Sequence, residues 1–405
     1  MGSTVIEACL IGFCVAAYLL ATTVTVHGAD FDVKKHGAKA DGKTDDTKAF
    51  TAAWDGACKA PGASTVTFPA GNYLVGSITF RGPCKAPVSV QAHGATLVAP
   101  EDPAKVQNTW ILFTNIDRLT LAGGIYDGKG ATAWKQNCAK AVKVCNLAIN
   151  LYFSTLTNSL ITGITSKNSK YFHMNVVGCR NVTLEKVTVD APGDSPNTDG
   201  IHVGLSSGVN ITGATIKTGD DCVSLGDGCE RINVQGVTCG PGHGISIGSL
   251  GKYPNEKPVT GITVRNCTLT NTMNGVRVKT WPASPAYTAS SLHFQDIIMN
   301  NVGSPIGNPI LIDQKYCPWN QCKAEVPSRI KIIDVGFKNI QGTSVSKVAV
   351  KLVCSKAIPC QQVQLTDINL VYGGKDGPAT SECDNVKPAL AGKLFPKPCT
   401  AVPHP

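Results

Sequence analysis

Two adjacent carboxylates, Asp220 and Asp221, stand in the run Gly219-Asp-Asp-Cys222, with Asp199 before them and His243, Arg277 and Lys279 after them. Such a set can move protons and hold an anion. A carboxylic acid protonates a leaving oxygen, a carboxylate activates water or attacks carbon, and fixed cations hold an acidic sugar, which is what glycoside hydrolysis requires. Neighbouring residues of a regular strand point to opposite faces, so Asp220 and Asp221 can share one cleft only across a turn or bulge, which Gly219 permits. With Asp199 nearby, mutual repulsion raises the pKa of one carboxyl and keeps a proton on it. Taken singly, Asp199 reads as a corner cap, His243 as a turn histidine, and Arg277 with Lys279 as a solvated basic pair. Their chemistry depends on being brought to one face.

The elements that could do so are visible as repeats. Asn181-Val-Thr-Leu-Glu-Lys-Val-Thr-Val189 is a turn residue followed by alternating apolar positions, and related nonapeptides start at Arg118, Asn158, Gly208, Arg231, Gly261, Ser291, Arg329 and Gln362. The shortest intervals leave no room for a helix between strands, so period-2 segments that return between Gly, Asn and Asp turns predict an all-β, right-handed parallel β-helix. A second strand aligns in four coils, as Asp199-Gly-Ile-His-Val-Gly204, Asp221-Cys-Val-Ser-Leu-Gly226, His243-Gly-Ile-Ser-Ile-Gly248 and Asn274-Gly-Val-Arg-Val-Lys279. Their aliphatic residues share the inward parity, which turns His202, Ser224, Ser246, Arg277 and Lys279 outward. With coils about 4.8 Å apart, the four leading positions span roughly 14 Å, a cleft for a few sugar rings.

The ends read as caps. Residues 44 to 58 predict a short amphipathic helix with Phe50 and Trp54 on its buried face and acids in its first turn, and the stretch from Ala379 to Pro405 closes the other end. Within 405 residues no linker or low-complexity tract divides the chain, so residues 29 to 405 are expected to form one solenoid domain. Charged residues make up only 16%, with 41 Gly and 24 Pro, which excludes coiled coils and acidic disordered tails. Mean hydropathy is +0.02, and no stretch beyond the amino terminus is apolar for the ~20 residues of a membrane span.

The apolar run from Ala8 to Leu20, followed by small residues, predicts a signal peptide over residues 1 to 28 and hence a secreted protein. Its removal takes the formal charge from +9 to +10, because it deletes Glu7 and no Lys or Arg. A basic secreted protein suits an acidic partner, whereas the absence of a Lys and Arg cluster and 6% aromatics argue against nucleic acid. Of 17 Cys, 15 lie beyond Cys9 and Cys14, which fits an oxidising compartment. Spacing suggests the pairs Cys58 with Cys84, Cys138 with Cys145, Cys222 with Cys239, Cys317 with Cys322, Cys354 with Cys360, and Cys383 with Cys399, leaving at least one thiol over. No C-x-x-C pair supports zinc. Sequons fall at Asn181, Asn210 and Asn266.

In order along the chain, Asn197-Thr-Asp-Gly200, Gly219-Asp-Asp221, Gly242-His-Gly244 and Arg277-Val-Lys279 resemble the four signature motifs of the polygalacturonases, glycoside hydrolase family 28. The opening Phe31-Asp-Val and Asp41-Gly-Lys-Thr-Asp-Asp46 resemble plant members, and Gly240 to Gly251 resembles the pollen-type exo-acting ones. The resemblance implies that Asp220 donates the proton, that Asp199 and Asp221 activate water with inversion, and that His243 orients the acid. It further implies that Arg277 and Lys279 bind the galacturonate carboxylate, with Asn197 and Tyr316 also touching substrate. No metal or cofactor is implied. The expected partner is polygalacturonate, met by a monomer in the cell wall, with exo action favoured over endo. Exo action needs one end of the cleft blocked, and Ala191–Pro196 and Gly251–Pro258 are candidate walls. A calcium-dependent pectate lyase and a non-enzymatic pectin-binding solenoid are the alternatives.

Overall fold

A computed structural model describes residues 28–135, 147–320 and 322–399. The predicted signal segment and the Cys138 with Cys145 pair lie outside these, apart from Gly28. Every strand pairing in the two sheets is parallel, for example Ile201–Gly204 on Val223–Leu225 and Arg180–Glu185 on Ser207–Thr212. Among the described residues, one sheet has 21 strands and the other has 11. With the right-handed crossover that parallel strands adopt, this is the predicted β-helix. The alternating Val, Ile and Leu pack into one continuous core. At the amino-terminal end that core is aromatic, with Phe50, Trp54, Phe68, Phe80, Phe113 and Phe153 in successive ring contacts.

The capping helix runs over Thr47–Lys59 and buries Phe50, Ala53, Trp54 and Ala57 on one stripe, with the Trp54 indole N–H donating to the Arg81 carbonyl at 3.1 Å. It starts later than expected, and its first turn contains no acid. Asp45 ends the strand Asp41–Asp45 and accepts the Thr47 N–H, whereas Asp46 accepts the N–H groups of Lys39 and Ala40 at 2.7 and 3.1 Å. These carboxylates tie down the loop that enters the helix. At the other end, Thr380–Asp384 and Ala389–Phe395 add the last rung to each sheet.

Each nonapeptide opens on a residue with left-handed backbone, from Arg118, Asn158 and Asn181 through Gly208, Arg231, Gly261 and Ser291 to Gln362. Such residues bend the chain at or near the start of strands of the 21-strand sheet, and Asn tolerates that conformation better than most side chains. Asn181 Nδ2 also donates to Asn158 Oδ1 at 2.8 Å, forming a short ladder. The expected start at Arg329 is wrong. Leu292 pairs with Val335, so Ser291 faces Asp334, and Asp334 carries the left-handed φ of 58°. The error arises because Ile330 and Ile332 alternate as regularly as Val335 and Phe337, and only the turn at Asp334 separates the two runs.

Five expected disulfides are present, namely Cys58–Cys84, Cys222–Cys239, Cys317–Cys322, Cys354–Cys360 and Cys383–Cys399. Cys179, Cys229 and Cys267 are free and buried. Of the sequon asparagines, Asn181 and Asn266 are exposed and Asn210 is half-buried, all on the 21-strand sheet. Among the described residues no helix is long and apolar enough to cross a membrane.

Candidate active site

Register brings the four aligned segments together. Ile201, Val223, Ile245 and Val276 stack as one inward column, and His202, Ser224, Ser246 and Arg277 stack as the neighbouring outward one. That face is the floor of a cleft rather than open surface, since Ser224, Ser246, Arg277 and Lys279 are all buried. Asp220 and Asp221 lie in the bend before Val223–Leu225, where the Asp221 N–H donates to Asp220 Oδ1 at 2.8 Å. The bend lets both carboxyls serve the same cleft.

Three hydrogen-bonded groups result. In the first, His243 Nδ1 sits 2.9 Å from Asp220 Oδ1, and Asn197 Nδ2 approaches Asp220 Oδ2 at 3.5 Å. In the second, Asp221 accepts Arg277 Nη2 at 2.6 Å, Lys279 Nζ at 2.8 Å and the Ser246 hydroxyl at 2.9 Å, while Arg277 Nε donates to Ser246 Oγ. Asp199 stands one coil earlier and accepts the Ser224 hydroxyl at 2.8 Å, which is itself 2.9 Å from His202 Nδ1. One oxygen from each of Asp220 and Asp221 and a ring nitrogen of His243 lie within 4.8 Å of one another. Tyr316 places its ring 5.1 Å from Lys279 Nζ and edge-on to Trp281.

A family model, glycosyl hydrolases family 28, matches residues 58–395. The chain belongs to this family. An exopolygalacturonase from Arabidopsis thaliana is 56% identical to this glycoside hydrolase over 386 residues, covering 93% of this chain and 85% of the relative. An exopolygalacturonase from Oenothera organensis is 54% identical, covering 88% and 98%. An endo-xylogalacturonan hydrolase from Aspergillus tubingensis superposes with a TM-score of 0.74 at 23% identity, over 92% of this chain and 99% of that one. At this distance the likeness is one of fold.

The structure brings the eight residues named from the sequence together in this family 28 enzyme, and the outward parity of Arg277 and Lys279 sets both beside the acids. Both are engaged by Asp221. Ser224, Ser246 and His202 are legible in the sequence as outward positions, but nothing in their spacing marks Ser224 and Ser246 as hydrogen-bond partners of the acids or His202 as a partner of Ser224.

The electrostatics separate the two fully buried carboxyls. Burial, then the charges of Asp220 and Asp221, raises the Asp199 carboxyl well above the usual carboxylate range, so it holds its proton. Burial acts against Asp221 too, but Arg277 and Lys279 overcome it and hold that carboxyl well below the range as an anion. Burial lowers His202 to about 4, leaving it neutral. The same cluster of Asp220, Asp221 and His243 could ligate a cation, yet such an ion would have to compete with Arg277 and Lys279 for Asp221.

Asp199 therefore makes the folded state bind a proton that the unfolded chain releases near pH 4, and its contribution to stability falls as pH rises from there through its raised folded value. Asp199→Asn is expected to melt higher than the native enzyme at neutral pH, with the gap closing below about pH 4, and to lose activity. Melting curves at pH 7 and pH 4 check this, and a lower melting temperature at pH 7 would contradict it.

Proposed function

We propose that the enzyme hydrolyses α-1,4-galacturonosyl linkages of polygalacturonate, releasing galacturonic acid from the non-reducing end, and that it works outside the cell in the wall. The observation that carries the substrate class is the juxtaposition of a carboxyl set with two buried cations on one outward column. A neutral glycan would not need the cations, and the high-identity exopolygalacturonases support the exo reading over an open endo cleft.

In this reading Asp220 is the proton donor, oriented by His243 and Asn197 towards the glycosidic oxygen. Asp221, kept anionic, takes the proton of the attacking water, and Asp199 binds and aligns that water through its carboxyl. As the uronate engages Arg277 and Lys279, these cations share their charge between substrate and Asp221, which makes Asp221 a stronger base at the moment it is needed. Tyr316, against Lys279, borders the same subsite.

Family likeness implies inversion, whereas Asp220 and Asp221 approach more closely than the roughly 6.5–9.5 Å usual for inverting pairs. Proton NMR of the first product separates the two outcomes, since an α-linked substrate yields the β anomer on inversion and the α anomer on retention. We expect the β anomer. Sizing early products from de-esterified polygalacturonate, with chelator present, tests the rest. Monomer alone is expected; an oligomer ladder would mean endo action, and unsaturated uronides would mean a lyase.

A further inference from the structure

Two hydrogen-bonded chains of the same construction run along the floor of the cleft. In each, a buried serine of the outward column donates its hydroxyl to the acid of the preceding coil, Ser246 to Asp221 at 2.9 Å and Ser224 to Asp199 at 2.8 Å. A serine hydroxyl has one proton, so each Oγ is left to accept from a third residue of the same column. For Ser246 that residue is Arg277, whose Nε donates at 2.6 Å. For Ser224 it is His202, whose Nδ1 lies 2.9 Å away.

The chains differ in what their third member can do. Arg277 can only donate, so the direction of its chain is fixed, and it also bonds Asp221 directly as a permanent cation. His202 is kept neutral by burial, and a neutral imidazole donates from one nitrogen and accepts at the other. Its ring has little freedom to turn away. Phe172 lies 5.4 Å from it at a tilt of 50°, and the ring passes over Gly204 and Gly226, where a Cβ would stand 3.6 Å from Nε2 and 3.3 Å from Cε1. At the far end of the chain only Asp199 Oδ2 is engaged, and among the described residues Oδ1 has no protein partner.

We propose that His202 is a positioning residue for the hydrolysis: its Nδ1–H, passed on through the Ser224 hydroxyl, holds Asp199 Oδ2 as an acceptor and reserves Oδ1 for the attacking water. This rests on the reading of Asp199 as the acid that aligns that water. With a proton on Nε2 instead, Nδ1 would accept from Ser224, the chain would run the other way, and the Asp199 proton would be tied up on Oδ2. A permanent cation in place of the imidazole would do to Asp199 what Arg277 does to Asp221 and leave two anions where one is needed.

Substitutions that mimic one ring nitrogen at a time test this. The Asn amide stands where Nδ1 does, the Gln amide stands where Nε2 does, and Leu replaces neither. His202→Asn is expected to keep kcat within about threefold of native, whereas His202→Gln, His202→Leu and Ser224→Ala should lose roughly 10–100-fold in kcat with little change in KM. Nitrogen-15 NMR of histidine-labelled native enzyme, with the His202 signals assigned by their absence from His202→Asn, should show the Nδ1–H tautomer. An Nε2–H tautomer overturns the proposal, as does native kcat in His202→Leu or Ser224→Ala. Activity kept by Gln and lost by Asn also overturns it, because the working atom would then be Nε2. Asp199→Asn separates the proposal from the reading beneath it. Native turnover in that variant would remove Asp199 from the alignment of water and defeat both, whereas an inactive Asp199→Asn beside fully active His202→Leu and Ser224→Ala would defeat the role of His202 alone.

Discussion

Asp220→Asn is expected to lower kcat by about 10²–10⁴-fold while leaving KM and folding nearly unchanged. The Asn carbonyl can take the place of Oδ1 and keep the Asp221 N–H and His243 contacts, and its amide then faces the long 3.5 Å approach of Asn197. The substitution thus keeps the stronger hydrogen bonds, and its cost in stability should stay below about 1 kcal/mol. What it removes is the transferable proton. A loss in kcat without a change in KM is the signature of an interaction made only in the transition state. A folded variant that keeps a tenth of native turnover would move the proton donor elsewhere. Asp199, which holds its own proton, would then be the first alternative.

The second large effect is expected from Arg277→Met. Arg277 and Asp221 are both buried, and removing the guanidinium leaves Asp221 to Lys279 and Ser246. Breaking a buried ion pair in this way costs about 3–5 kcal/mol, because the remaining charge is left uncompensated. A lower urea midpoint should report it, together with a raised KM for polygalacturonate. The native Asp221 contribution is present above the unfolded carboxyl value near 4 and is lost as pH falls through the depressed folded value. The penalty of Arg277→Met should accordingly shrink in acid, where the released carboxyl takes up a proton. Adding Asp221→Asn should restore most of the stability and none of the activity. Failure of the second substitution to restore stability would show that Arg277 stabilises the fold through its packing rather than through Asp221.

Much of this site was legible before any coordinates because a parallel coil turns sequence alignment into spatial adjacency. Once Ile201, Val223, Ile245 and Val276 are recognised as one column, the faces of His202, Ser224, Ser246 and Arg277 follow from parity. Parity says which face a side chain leaves from, but not where its far end goes. Parity set Arg277 and Lys279 beside the acids, but it did not foretell their bonds to Asp221. Two runs of equal alternation put the start of one coil at Arg329 instead of Asp334, since only a backbone turn distinguishes them.

The stacking of functional groups on successive coils also limits how such an enzyme can change. Along the solenoid axis a group can be relocated only by passing it to another coil, a jump of about 4.8 Å, while exchanging side chains on the same rung tunes reach and charge. Specificity in this architecture is therefore quantised in one direction and continuous in the others. Inserting or deleting a coil between Asp199 and Arg277 would put the acids and the cations out of step, whereas coils added beyond the two ends would lengthen the molecule and leave that spacing untouched.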